Sequence, residues 1–170
     1  MDKLTYSSNT TAEIPGAALP NDGGYGSGAV SSADAGYFCG GYASTGSWVS
    51  NTDKVTYSSD TTAEVPSAFL GSPNFHSVGT GNLTAGYIGN GAASYTTVYK
   101  ITYSTDTTAA LPTSADLVFN RFSMGATSSS TAAYFAGGSP GYSLVEKLTY
   151  SSETTARIPG ADLSVARTYL

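Results

Sequence analysis

One cysteine, one histidine and one tryptophan are all that this 170-residue chain has of those types, and charged residues make up only 11% of it. The lone Cys39 excludes an internal disulfide and reads as a small buried apolar residue, since cysteine is among the most buried types. With His76 as the one imidazole, a copper site of imidazoles and thiolate has too few ligands, so no metal and no cofactor are expected. Lys and Arg together number 7 against 12 acidic residues, for a net charge of −5. A nucleic-acid groove needs basic side chains gathered on one face, and here they are spread along the chain, so no nucleic-acid partner is expected. No apolar run approaches the length of a membrane span, so no membrane insertion is expected either. The opening MDKLTYSS is already repeat sequence, and no leader is expected in it.

What is abundant is Ser, Thr, Gly and Ala, which suits short strands joined by many turns and offers little to a long helix. One stretch is written four times: KLTYSSNTTAEIP from Lys3, KVTYSSDTTAEVP from Lys54, KITYSTDTTAALP from Lys100 and KLTYSSETTARIP from Lys147. Its tyrosines, Tyr6, Tyr57, Tyr103 and Tyr150, fall 51, 46 and 47 residues apart, the mark of an array of like units that bury their apolar faces on one another. Leu4 and Tyr6 alternate with Lys3 and Thr5, the period of a strand, and the same holds in each copy. In the next four or five residues Asn9, Asp60 and Asp106 are suited to closing a turn through their own side chains. Glu153 in the last copy cannot do so in the same way. A second short strand runs to Pro15, Pro66, Pro112 or Pro159, which lacks the ladder donor and places that strand at a sheet edge.

Between these copies lie slim segments, 26–32, 75–81 and 122–128, of the kind a strand crowded near an axis requires. Short apolar runs ending in glycine follow: YFCGG, YIGNG and YFAGG. Asn90 aligns there with Gly40 and Gly137, and asparagine is the commonest other residue to tolerate positive φ, so this position is expected to be left-handed. Gly41, Gly91 and Gly138 complete the motif. The content is thus four strands per unit of about 47 residues, as in a propeller blade. The connections after the glycines vary most, and each carries an aromatic: Trp48, Tyr95 and Tyr142. Variable loops on a repeating scaffold are where binding surfaces sit, and these three are the candidate binding residues.

The diglycine run, the tyrosine strand and the short strand leading to proline, in that order, resemble the kelch repeat of β-propellers. The resemblance implies an all-β fold of four-stranded antiparallel blades, about three and a half units in one array: 2–52, 53–98, 99–145 and 146–170. Where kelch repeats carry a tryptophan, this chain has Ala12, Ala63, Ala109 and Ala156, so the space between blades must be filled differently. The four tyrosines are expected there, buried and bonded through their hydroxyls. The phrase TYSSDTTAxxP with a following Leu and, twice, Arg (Arg121, Arg167) is similar to repeat-rich virion and tail-fibre proteins of phages of cyanobacteria and other aquatic bacteria.

That resemblance implies a non-enzymatic structural and adhesive module on a virion or other extracellular fibre, whose loops touch host-surface glycan or a neighbouring subunit. The alternatives are a secreted lectin-like propeller and a kelch scaffold for protein partners. Nothing such as G-x-S-x-G singles out a nucleophilic serine, and Asp60, Asp106 and Glu153 read as turn residues rather than a catalytic carboxylate pair. Asp22, in PNDGGYGSG, reads as part of a glycine turn rather than a calcium loop. Asn9 and Asn82 head N-x-T sequons. Residues 3–16 supply outer strands without inner ones, and 165–170 begin an inner strand. The ring is therefore expected to be incomplete in one chain and completed by further blades or by other copies, head to tail.

Overall fold

The computed structural model describes residues 1–20, 25–89, 91 and 96–170. Among these residues the chain forms fourteen strands, with helix confined to four three-residue 3-10 turns. Strands β1 (Asp2–Thr5) and β2 (Thr10–Glu13) pair as a hairpin. Sheet I comprises β3 (Gly28–Ser31), β4 (Ala35–Tyr42), β5 (Trp48–Thr56) and β6 (Thr61–Glu64). Sheet II comprises β7 (Val78–Gly81), β8 (Ala85–Gly89), β9 (Val98–Thr102) and β10 (Thr107–Ala110). Sheet III comprises β11 (Gly125–Ser128), β12 (Ala132–Ala136), β13 (Val145–Thr149) and β14 (Thr154–Arg157). Each sheet is antiparallel and follows chain order from edge to edge. The fold is all-β, and among the described residues no helix is long and apolar enough to cross a membrane.

Local chemistry explains the repeated hairpin. Asn9, Asp60, Asp106 and Glu153 all take left-handed φ, between 49° and 52°. Their side chains do not close the turn. A pair of hydroxyls does so instead, two residues apart, as in Ser59 with Thr61 at 2.7 Å and Ser152 with Thr154 at 2.8 Å. This is why glutamate serves as well as aspartate at that position. The following strand stops before its proline. Pro15, Pro66 and Pro159 then start a 3-10 turn, where the missing N–H costs nothing.

The first strands of the three sheets lie beside one another, β3 against β7 and β7 against β11. Small residues permit this. A Cβ on Gly79 would run into the backbone of Ala29, and one on Gly86 into the side chain of Val30. Ser128 Oγ donates to the Gly81 carbonyl across the same seam, at 2.6 Å.

The apolar core consists of the two layers between successive sheets. Val30, Tyr37, Cys39, Ile88 and Ile101 fill the first, and Tyr87, Val98, Phe135 and Leu148 the second. In each layer a second-strand tyrosine stacks on a third-strand tyrosine of the next sheet: Tyr37 on Tyr103 with centroids 5.2 Å apart, and Tyr87 on Tyr150 at 4.5 Å. The alanines that stand where kelch repeats carry tryptophan, Ala12, Ala63, Ala109 and Ala156, are exposed and take no part in these layers.

Beside the stack, the repeat lysine reaches forward to the turn carboxylate of the next unit. Lys3 pairs with Asp60, Lys54 with Asp106 and Lys100 with Glu153, each at 2.7 Å. The Tyr37 hydroxyl donates to Asp106 as well, at 2.6 Å. Thr108 and Thr155 donate across the same layers to the carbonyls of Ala68 and Ala115, both at 2.8 Å. The acids expected to be turn residues are therefore latches between sheets.

The four repeat tyrosines are not equally buried. Tyr103 and Tyr150 are partly buried within the two layers, whereas Tyr57 is 43% and Tyr6 86% exposed. The hydroxyls of Tyr103 and Tyr150 find no partner among the described residues, contrary to the expected backbone bonds. The difference in burial follows from the packing. A third-strand tyrosine is covered only when the preceding unit contributes a second-strand tyrosine, and the β1–β2 hairpin has none.

Two outcomes follow. Leu4 and Leu148 hold the same repeat position, yet Leu148 is fully buried and Leu4 is 51% exposed. Leu148→Ala should therefore cost about 2–5 kcal/mol in urea unfolding, and Leu4→Ala less than about 1 kcal/mol. The second concerns pH. Burial works against the charged form of Asp106, but hydrogen bonds from Lys54 and Tyr37 and the ammonium charge outweigh it and hold its pKa below the ordinary 3.8. A group depressed in the folded state stabilises above its unfolded pKa and loses that contribution as pH falls through the folded one. Asp106→Asn should thus lower the thermal midpoint at pH 7 and flatten its decline below about pH 4.

Candidate binding surface

Sheets I and III are crossed at the glycine end of their second strands by the segment that follows their last strand. The Asn74 carbonyl accepts from Gly41 N at 2.7 Å, and the Arg167 carbonyl accepts from Gly138 N at 2.9 Å. The crossing explains the diglycines. Gly40 and Gly137 are left-handed, with φ of 66° and 64°, and a Cβ on Gly40 would lie 2.6 Å from the Asn74 carbonyl oxygen. Asn90 lies outside the described residues. Gly91 N donates to the buried Asn74 side chain at 2.9 Å.

Arg121 stands at the same place in sheet III as Asn74 in sheet II. It is fully buried with Glu146, Nη2 to Oε2 at 2.5 Å. It also donates to the carbonyls of Gly137 and Phe135, while Glu146 Oε1 accepts from Val118 N at 2.6 Å. Burial lowers the guanidinium pKa below its ordinary value although Glu146 raises it; an arginine remains charged nonetheless. Every one of these bonds ends on backbone or on the partner charge. The pair fixes the segment 118–121 beneath sheet III.

Where the crossing segments turn into the first strands, four equivalent residues take left-handed backbone: Gly26 (φ 78°), His76 (57°), Ser123 (52°) and Tyr169 (56°). With Ser27 and Met124 among others they line an open depression of about 420 Å³. Rings surround it. Phe75 contacts Tyr25 at 5.2 Å, Tyr42 at 5.5 Å and Trp48 at 6.2 Å. His76 lies between Phe75 and Phe122, with Tyr169 edge-on at 6.1 Å. Burial lowers the imidazole pKa below 6.5, so His76 is neutral at pH 7. Tyr25 is 63% exposed, Tyr169 71% and Trp48 41%. The result is a largely aromatic surface at one end of the sheets.

Of the three candidate binding residues, Trp48 joins this surface. Tyr142 lies in the connection between β12 and β13 and stacks on Phe119 at 5.6 Å. Tyr95 lies outside the described residues, as does Asp22. The sequence alone gave no reason to place Tyr25, Phe75 and Phe122 with Trp48. The available signal was that all three sit one residue before the left-handed position of the first strand. Cys39 is fully buried, and burial pushes its thiol up to about 12, out of reach of thiolate chemistry at neutral pH. Among the described residues no three His, Cys, Asp or Glu side chains come together as a metal site.

At the opposite end of the first strands, Ser31, Thr80, Asn82, Thr84 and Ser128–Ser130 line an open groove of about 810 Å³. The Asn82 side-chain oxygen is occupied there by the amides of Thr84 and Ala85, at 2.8 and 3.0 Å.

Because Trp48 is the single tryptophan and rests on Phe75, its emission reports on the aromatic surface. Phe75→Ala should shift that emission to longer wavelength while leaving the far-ultraviolet dichroism of the sheets unchanged. No protein-family model matches the chain, and none of the curated proteins is significantly similar to it.

Proposed function

We propose that the chain is a non-enzymatic structural and adhesive module of a virion or other extracellular fibre. Its four-stranded sheets are kelch-like blades of a β-propeller, and its aromatic end meets host-surface glycan or a neighbouring subunit. The observation that carries this reading is the exposed ring surface of Tyr25, Trp48 and Tyr169, which adjoins an open depression. Flat aromatic faces with a polar edge suit the apolar face of a sugar ring, whose hydroxyls meet the Tyr hydroxyls and Ser27. Three features support the blade reading: side-by-side first strands, chain-ordered antiparallel sheets and two inter-sheet layers that share a tyrosine stack, a lysine latch and a threonine-to-carbonyl bond. The buried Arg121–Glu146 pair, bound to backbone, supports a structural rather than a catalytic use of charge.

Glycan-array binding by the wild-type chain, reduced at least tenfold by Trp48→Ala and by Tyr25→Ala, is the expected outcome. Binding unchanged in both variants would refute the aromatic end as the contact. Among the described residues, the exposed Trp48 also suits the secreted lectin-like reading. Finding the chain in purified virions, or failing to, decides between the two.

A further inference from the structure

The forward face of each sheet, the one turned toward the next unit, is covered in the same way at sheets I and II. On sheet III the equivalent face is open. Tyr134 stands where Tyr37 and Tyr87 stand, and with Ala126, Ala136 and Val145 it borders a largely apolar depression of about 370 Å³. Lys147 holds the position of Lys3, Lys54 and Lys100, yet among the described residues it has no carboxylate to pair with. The Ala161 carbonyl is equivalent to those of Ala68 and Ala115, which accept threonine hydroxyls across the other layers.

The β1–β2 hairpin carries the complementary half. Leu4, 51% exposed, and Tyr6, 86% exposed, occupy the positions of Leu148 and Tyr150, which pack under Tyr87. Thr11 stands where Thr108 and Thr155 donate. Asn9 has the left-handed backbone of the latch acids and offers a neutral side-chain oxygen in place of their carboxylates. The buried pair has its counterparts too: exposed Arg167 corresponds to Arg121 and exposed Asp2 to Glu146.

We infer that the forward face of sheet III binds the β1–β2 hairpin of a second copy, head to tail. Tyr6 stacks on Tyr134, Leu4 enters the apolar depression, Lys147 donates to Asn9, and Arg167 pairs with Asp2. Within one chain the two faces do not meet, since Tyr6 remains 86% exposed. The same contact that the chain makes twice internally is thereby made a third time between copies. The inference rests on the reading of the chain as a segment of a propeller array and names the surface by which that array continues.

The test is light scattering and sedimentation of the purified chain across a dilution series, without glycan. The wild type should associate reversibly. Leu4→Asp should abolish association with Trp48 emission and the thermal midpoint unchanged, because Leu4 contributes to no inter-sheet layer of the monomer. Asn9→Asp supplies the missing carboxylate and should tighten association about two- to fivefold, as an exposed ion pair allows. Lys147→Glu should weaken it, with recovery when mixed with Asn9→Lys. A Tyr6→Cys, Tyr134→Cys variant should cross-link between chains. A monomer at every concentration, association indifferent to Leu4→Asp, or a cross-link within one chain would each overturn the inference. Glycan binding, read separately, is left intact by all of these substitutions, so failure of that reading is distinguishable from failure of this one.

Discussion

The structure depends on one contact made twice: a second-strand tyrosine laid flat on the third-strand tyrosine of the next sheet, with a lysine beside it reaching the same neighbour. Tyr37 on Tyr103 and Tyr87 on Tyr150 are nearly parallel, at 16° and 7°. The stacks extend the two buried layers, and those layers account for most of the large buried side chains of the molecule. An isolated four-stranded sheet of this composition would expose both faces and have little to offset the entropy of ordering its strands. Pairing the sheets gives each of residues such as Ile88, Ile101 and Phe135 full burial, roughly 1.5–3 kcal/mol apiece. The lysine latches are partly exposed and add less, about 0–1 kcal/mol each.

Close approach is the second constraint, and it explains the composition. For tyrosines to stack while the first strands touch, backbone must come near backbone at Gly79 and Gly86, where a methyl group would collide with Ala29 and Val30. The same economy puts diglycines beneath the crossing segments. A chain built this way needs Gly, Ser, Thr and Ala in quantity and has little use for charge. Six of its charges form the lysine–carboxylate joints between units, and Arg121 and Glu146 are sealed inside. At the end where the crossings occur, larger rings gather because each sheet delivers one aromatic to the left-handed corner of its first strand. That gathering gives the surface proposed for ligand contact.

Much of this was legible in the residues. The four copies, the alternation of Leu4 with Lys3, the prolines that stop the last strands and the slim first strands led directly to antiparallel four-stranded units. Less legible were contacts between units. Asp60, Asp106 and Glu153 looked like local turn formers because their partners lie more than 50 residues away; the Glu at 153, awkward for a local bond, was the one visible sign. Equal burial of the four tyrosines failed for a related reason: identical sequence positions differ when one neighbour lacks a second strand. Of the aromatic surface only Trp48 was foreseen. Its companions come from the segments leading into the first strands, which vary in wording from unit to unit, and Tyr142 went to a separate place against Phe119.

If the repeated stack is what orders the array, its two instances should couple alike. The direct measurement is a pair of double-mutant cycles in chemical unfolding, Tyr37→Ala with Tyr103→Ala and Tyr87→Ala with Tyr150→Ala. Coupling of about 0.5–1.5 kcal/mol in each cycle, with both cycles similar, is the predicted result. Additive effects in both cycles, or coupling in one layer and none in the other, would contradict it.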